Sequence, residues 1–162
     1  MMMDLAQPYI EPFVIVDSDL SRPWGGYYCI DPKMTADFIA TYFKGLGANS
    51  SQATIFPEMH NLSPKILVIA SGKRLSWQYH LRRKEIWTVV VGPVGVVRSL
   101  TDTEQPMTIH STGEIITLDV EERHRLVGLD SPAIVAELWW HTDPKHPSNE
   151  SDIIRVQDDF HR

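Results

Sequence analysis

The sequence predicts a mainly β protein, a sandwich or barrel in one domain, and three observations lead there. From Lys65 onward the apolar residues fall in short runs broken by Gly, Pro and polar corners, the pattern of antiparallel strands. A length of 162 residues suits one domain that buries a core without disulfides. Potential metal ligands sit at strand spacing in Gln78, His80 and Glu85, with His124 further on, as a barrel interior requires.

Taken in order, residues 1–30 mix Pro8, Pro12 and polar residues around the run from Pro12 to Val16. This reads as an N-terminal arm with one strand that covers a sheet edge or swaps onto a partner. Residues 31–64 form a helical insertion and loop of the same domain. Asp31 can cap a helix start, and Pro32 suits its first turn. Met34, Phe38 and Tyr42 share one face of a helix expected over Lys33 to Lys44, which Gly45 and Gly47 stop, and which lies against the barrel mouth or wall. Residues 65–162 make the barrel and a C-terminal segment. Strands are expected over Lys65 to Ala70, Leu75 to Leu81, Ile86 to Val91, Gly95 to Leu100, Met107 to His110, Glu114 to Leu118, His124 to Val127 and Ala133 to Trp140. Asp143 to Asp152, rich in Pro, Ser, Asn and charge, is a loop leading to a final short element.

Composition excludes several function classes. A net charge of −6 argues against nucleic acid as a partner, because that binding relies on clustered cations over phosphates. No run approaches the length of a membrane span, and the Met-Met-Met start lacks the basic region and apolar stretch of a signal peptide. The single Cys29 cannot form an internal bridge, which suits a reducing compartment, so a cytoplasmic location is expected.

The chemistry concentrates between Leu75 and Trp87. Residues two apart on a strand share a face, so Gln78 and His80 point the same way. The run from Glu85 to Val91 is expected to fold back as a hairpin beside the first, bringing Glu85 across from His80. Imidazole, amide and carboxylate together suit one divalent ion of Zn, Mn, Fe, Co or Ni. His60, His110, His141, His146 and His161 lack such partners and are expected at surface or loop positions. Trp24, Trp77, Trp87, Trp139 and Trp140 serve as core or as sugar-stacking platforms.

The order Gly72, five residues, Gln78, one residue, His80, four residues, Glu85, six residues, Gly92 resembles the first cupin motif. Gly113 to His124 resembles a degraded second one. More closely, Gly72 to His80 (GKRLSWQYH) with Arg83 to Trp87 (RKEIW) is similar to the isomerase domain of type II phosphomannose isomerases. Arg22 to Tyr27 (RPWGGY), Lys65, and the tail from Glu150 to Arg162 (ESDIIRVQDDFHR) match the same domain. The sequence departs from that family at Leu81, Arg82 and Ile86, which replace histidines. Asp119 and Glu121 stand where Pro and Gly are usual, and Gly128 replaces Asn.

The resemblance implies a single cupin barrel, a double-stranded β-helix or jelly roll, with one added helix near the N-terminus. It implies a metal-dependent aldose-ketose isomerase for a small-molecule sugar phosphate, mannose 6-phosphate and fructose 6-phosphate above all. Gln78, His80, Glu85 and His124 would hold the metal. Arg83 would stabilise the developing oxyanion or the substrate anion, and Lys65, facing inward with Leu67 and Ile69, is the candidate base. Arg155 and Arg162 would clamp phosphate, unless Arg155 pairs with Asp152 or Asp158. A homodimer through edge strands or the N-terminal arm is a further implication. The alternatives are a non-catalytic metal-binding cupin that binds a sugar or other small ligand, and an oxygen-activating iron cupin, against which Gln78 argues.

Overall fold

The computed structural model describes residues 2–46 and 59–162. Gly47 and residues 48–58, where a loop is expected, lie outside the described residues.

Two antiparallel sheets face each other. The larger runs in the order β1 (Ile15–Arg22), β2 (Gly25–Ile30), β3 (Leu62–Ile69), β10 (Ala133–His141), β5 (Arg83–Val91), β8 (Ile115–Leu118). The smaller runs β11 (Ile154–Gln157), β4 (Trp77–Tyr79), β9 (Arg123–Gly128), β6 (Val94–Ser99), β7 (Thr108–His110). Consecutive strands β3, β4, β5 and β6 alternate between the sheets, which makes a single jelly-roll barrel of the expected cupin type. Every expected strand is present, with its ends shifted by a few residues. The final short element is β11.

The period of two decides what each strand buries. On β3, Lys65, Leu67 and Ile69 face the barrel interior while Ile66 and Val68 face outward. On β10, Ala133, Val135, Glu137 and Trp139 face in, and Ile134, Ala136 and Leu138 face out. The larger sheet is therefore apolar on both faces, and its outer face needs a cover. Two helices supply it. The helix α2 (Thr35–Tyr42) lays fully buried Phe38 on that face, with Met34 and Tyr42 partly buried beside it. Each fully buried large apolar side chain of this kind contributes roughly 1.5–3 kcal/mol.

Asp31 caps as expected, its side chain accepting the Lys33 N–H at 2.9 Å. The expected Lys33 to Lys44 helix divides into a 3-10 turn (Pro32–Met34), the shorter α2, and a second 3-10 turn at Lys44–Leu46. It covers the outer wall, away from the barrel interior. The N-terminal arm is more ordered than expected. Residues Met2–Ile10 form α1 despite Pro8 inside it, because burial of Ala6 and Ile10 against the same outer face outweighs the backbone hydrogen bond that proline removes. The edge strand of this region is β1, and it hairpins onto β2. That turn needs glycine at Gly25, where φ is +142° and a Cβ would lie 1.9 Å from the Val68 carbonyl oxygen.

The expected hairpin between the ligand strands does not form. β4 pairs with β9 and β11 in the smaller sheet, while β5 pairs with β10 and β8 in the larger. His80 and Glu85 therefore meet across the barrel interior rather than across a strand pair. The physical reason is the two-layer closure: the corner at Leu81 and Arg82 carries the chain from one sheet to the other.

Candidate metal centre

His80 follows β4, Glu85 lies on β5 and His124 on β9, and ligand atoms of all three fall within 4.8 Å of one another in a fully buried cluster. Gln78, in register with His124, is half-buried and lines the same cavity, with its Oε1 accepting from the Ser76 hydroxyl.

The two imidazoles are oriented from behind. Nδ1 of His80 lies 3.0 Å from the Asp152 carbonyl oxygen, and Nδ1 of His124 lies 2.8 Å from that of Glu122. A carbonyl only accepts, so each Nδ1 carries the proton and each Nε2 is directed at Glu85. Nε2 of His80 is 3.0 Å from Glu85 Oε1, and Nε2 of His124 is 3.4 Å from Oε2. Nε2 of His124 is buried and, among the described residues, has no hydrogen-bond partner. Leaving such an atom unpaired costs about 1–3 kcal/mol, so an orphaned imidazole nitrogen beside a carboxylate and a second imidazole fits a metal ligand set. Burial pushes the His80 imidazolium toward its neutral, ligating form, against the pull of Glu85. Burial alone would raise Glu85, but His80, Arg83 and His124 outweigh it and hold the carboxyl well below the usual range.

Arg83 is not the solvated corner residue that its flanking charges allow: it is 2 % exposed. Its Nε–H donates to Glu85 Oε1 at 2.9 Å, Nη2 lies 3.2 Å from His80 Nε2, and Nη1 donates to the Ser148 hydroxyl at 2.9 Å. The guanidinium also stacks 3.5 Å from the Trp139 ring centroid. Ser148 in turn donates to Asp152 Oδ2 at 2.6 Å, and Asp152 accepts the backbone N–H groups of Leu81 and Arg82 at 3.1 Å. Burial works against the Asp152 anion, yet these donors hold its carboxyl below the usual value. The loop from Asp143 to Asp152 thus straps the ligand corner in place. His141, expected near the surface, is buried on β10, its Nδ1 accepting the Ser148 N–H and its Nε2 lying 2.7 Å from the Ser63 hydroxyl.

Lys65 faces inward as expected. Its ammonium lies 3.1 Å from Glu150 Oε1, 3.5 Å from the Trp139 ring centroid and 4.7 Å from that of Tyr27. A carboxylate and two ring faces already engage this ammonium, which suits an anchoring role better than that of a free base. Arg155 and Arg162 line the cavity with Arg22. Arg162 pairs with Asp158 at 2.9 Å, while Nε of Arg155 is buried and, among the described residues, without a hydrogen-bond partner, paired with neither Asp152 nor Asp158.

Sequence reasoning passed over Glu137. It sits on β10 between Lys65 and Trp87, lines the cavity and is 5 % exposed. Burial, reinforced by the Glu85 charge and opposed by Lys65 and Arg83, pushes its carboxyl up to about 8. The signal available in the sequence was a lone acid inside the apolar run Ala133 to Trp140, at a position whose alternation faces inward.

No protein-family model and no curated protein matches the sequence. Solved structures do. The capsular polysaccharide assembling protein CapF from Staphylococcus aureus superposes with a TM-score of 0.57 at 12% identity, covering 87% of this chain and 34% of that one. Vicilin from Solanum lycopersicum gives 0.55 at 13% identity, covering 82% and 32%. The 7S globulin of Momordica charantia gives 0.54 at 13% identity, covering 85% and 34%. The chain spans about a third of the length of each. These likenesses concern the fold alone, a jelly-roll barrel of cupin type. Among the described residues, no helix is long and apolar enough to cross a membrane.

Proposed function

We propose that this chain is a metal-dependent aldose-ketose isomerase of a sugar phosphate, with mannose 6-phosphate and fructose 6-phosphate the pair favoured by the sequence resemblance. The observation that carries the reading is one cavity lined by Glu85 of the His80, Glu85 and His124 cluster, by Gln78, and by four arginines, Arg22, Arg83, Arg155 and Arg162. Gln78 is the candidate fourth ligand. A divalent ion bound there supplies Lewis acidity to the substrate oxygens. The remaining work falls to side chains. Arg83 is oriented by Glu85, Ser148 and Trp139 to hold charge developing on a substrate oxygen. The buried Nε–H of Arg155 supplies an unused donor for phosphate, with Arg162 beside it. Trp24 and Tyr27 line the cavity as ring surfaces for the apolar side of a sugar, while Trp139 backs the Lys65 and Arg83 cations.

The test is direct. Purified protein supplied in turn with Zn, Mn, Fe, Co and Ni should interconvert the two hexose 6-phosphates. Absence of turnover with every metal across a panel of hexose and heptose phosphates would sink the reading.

One observation favours a second reading, a non-catalytic metal-binding cupin for a sugar or other small ligand. Arg83 already bridges Glu85 and His80, which neutralises much of the cluster without an ion. Thermal stabilisation by sugar phosphates without turnover would select it.

A further inference from the structure

We propose that Glu137 is the proton-transferring residue of this cavity, moving a proton between adjacent carbons of the substrate. The role rests on the isomerase reading above.

The geometry separates Glu137 from the structural carboxylates of this protein. Buried carboxylates elsewhere are paired: Glu85 with Arg83, Asp152 with two backbone N–H groups and Ser148, and Glu122 with Arg98. Glu137 has two cations near it, yet Lys65 is committed to Glu150 and Arg83 to Glu85. Among the described residues its carboxyl has one hydrogen-bond partner, the indole N–H of Trp87, which donates to Oε1 at 3.0 Å. That bond fixes the carboxyl in the cavity wall and leaves Oε2 without a protein donor. A buried acid held by one oxygen, with the other uncommitted in a cavity, is costly as structure and useful as a base. Its strand position supports this, because Trp139, two residues on, turns to the same face and sits opposite the ligand Glu85 on β5. Lys65, whose ammonium is occupied, then serves to anchor the substrate anion rather than to take the proton.

The step balances within the substrate. The Glu137 carboxylate takes the proton from C2 of the aldose, and the C–H electron pair becomes the C1–C2 double bond as the carbonyl pair moves to O1. The hydroxyl proton passes from O2 to O1. Glu137 then delivers its proton to C1 as the C2 carbonyl forms. No oxidant, reductant or co-reactant is needed.

The bland account is that Glu137 only satisfies the Trp87 indole. Glu137→Gln tests the two against each other, because the amide oxygen still accepts from Trp87. Metal content, the thermal shift given by fructose 6-phosphate, turnover of mannose 6-phosphate and loss of label from its 2-deuterated form are measured in both proteins. Metal content and thermal shift should be retained, while turnover and label loss fall by about 10²- to 10⁴-fold. Glu137→Asp, which keeps the acid but withdraws it by one methylene, should restore part of both. Should E137Q lose metal or fold, activity in E137D decides: partial activity supports the role, and none overturns it. An active wild type with E137Q within about threefold of it overturns the role of Glu137 alone. A wild type inert in turnover and label loss overturns the isomerase reading and this role with it.

Discussion

Glu137→Gln has a consequence for stability that requires neither metal nor substrate. The carboxyl is raised from the ordinary 4.5 to about 8 by burial and by Glu85. Below the unfolded value, folded and unfolded chains both hold the proton and the group contributes no pH dependence. Between the two values the unfolded chain releases the proton and the folded chain keeps it. Stability therefore falls as pH rises, by roughly 1.4 kcal/mol per pH unit, until the folded carboxyl ionises near 8. The full loss is about 5 kcal/mol, the product of that slope and the shift. Glutamine does not titrate, so urea unfolding of EDTA-treated wild type and E137Q should give curves whose difference is flat below pH 4.5. The difference should widen in favour of the variant up to about pH 8 and be flat again above it. Other carboxyls and the histidines titrate in both proteins and drop out of the difference to first order. A wild-type-minus-variant difference independent of pH would show Glu137 already ionised in the folded protein, and would refute the reasoning from burial.

Other perturbations probe the remaining parts of the site. His124→Ala should abolish metal uptake measured by elemental analysis, and with it the stabilisation of about 2.7 kcal/mol expected for wild type at a metal concentration 100-fold above Kd. Unchanged metal content would remove His124 from the ligand set. Asp152→Ala strands the Leu81 and Arg82 N–H groups and the Ser148 hydroxyl. It should cost about 2–4 kcal/mol in urea unfolding and weaken metal binding about 10- to 100-fold through the ligand corner it holds, whereas full metal affinity would show that corner to be self-supporting. Glu121 stands in the left-handed region with φ +62°, at the position where the resembled motif has glycine. Glu121→Gly should stabilise the protein by about 0.5–1 kcal/mol, the relief of the Cβ clash less the added freedom of the unfolded chain. A loss of stability on that change would place the interactions of Glu121 above its backbone strain.

Much of the site was legible because its information is local. Gln78, His80 and Glu85 lie within one short stretch, and strand alternation fixes which of them share a face. The turn glycines that bracket them set the length of the motif. The partner strands were not legible in the same way. Nothing within the run from Gln78 to Glu85 says whether the corner at Leu81 and Arg82 closes a hairpin or crosses between sheets, since both satisfy the same alternation. The crossing is decided by what each strand pairs with: β4 with the distant His124 strand, and β5 with β10. Likewise α1 contains a proline that local rules count against it, and it forms because the outer face of the larger sheet must be covered.

By itself the sequence determined the mainly β fold, the strand positions and the residues able to ligate a metal, because residue type and spacing carry that information directly. Tertiary structure alone decided how those residues behave. It buried Arg83 against Trp139, turned the imidazoles by carbonyls from residues remote or near in sequence, and left Arg155 Nε–H without a hydrogen-bond partner among the described residues. It also enclosed Glu137 where its carboxyl is raised. Protonation, orientation and unmet hydrogen bonds depend on dielectric surroundings and on neighbours brought together from separate strands, and no window of the sequence contains them.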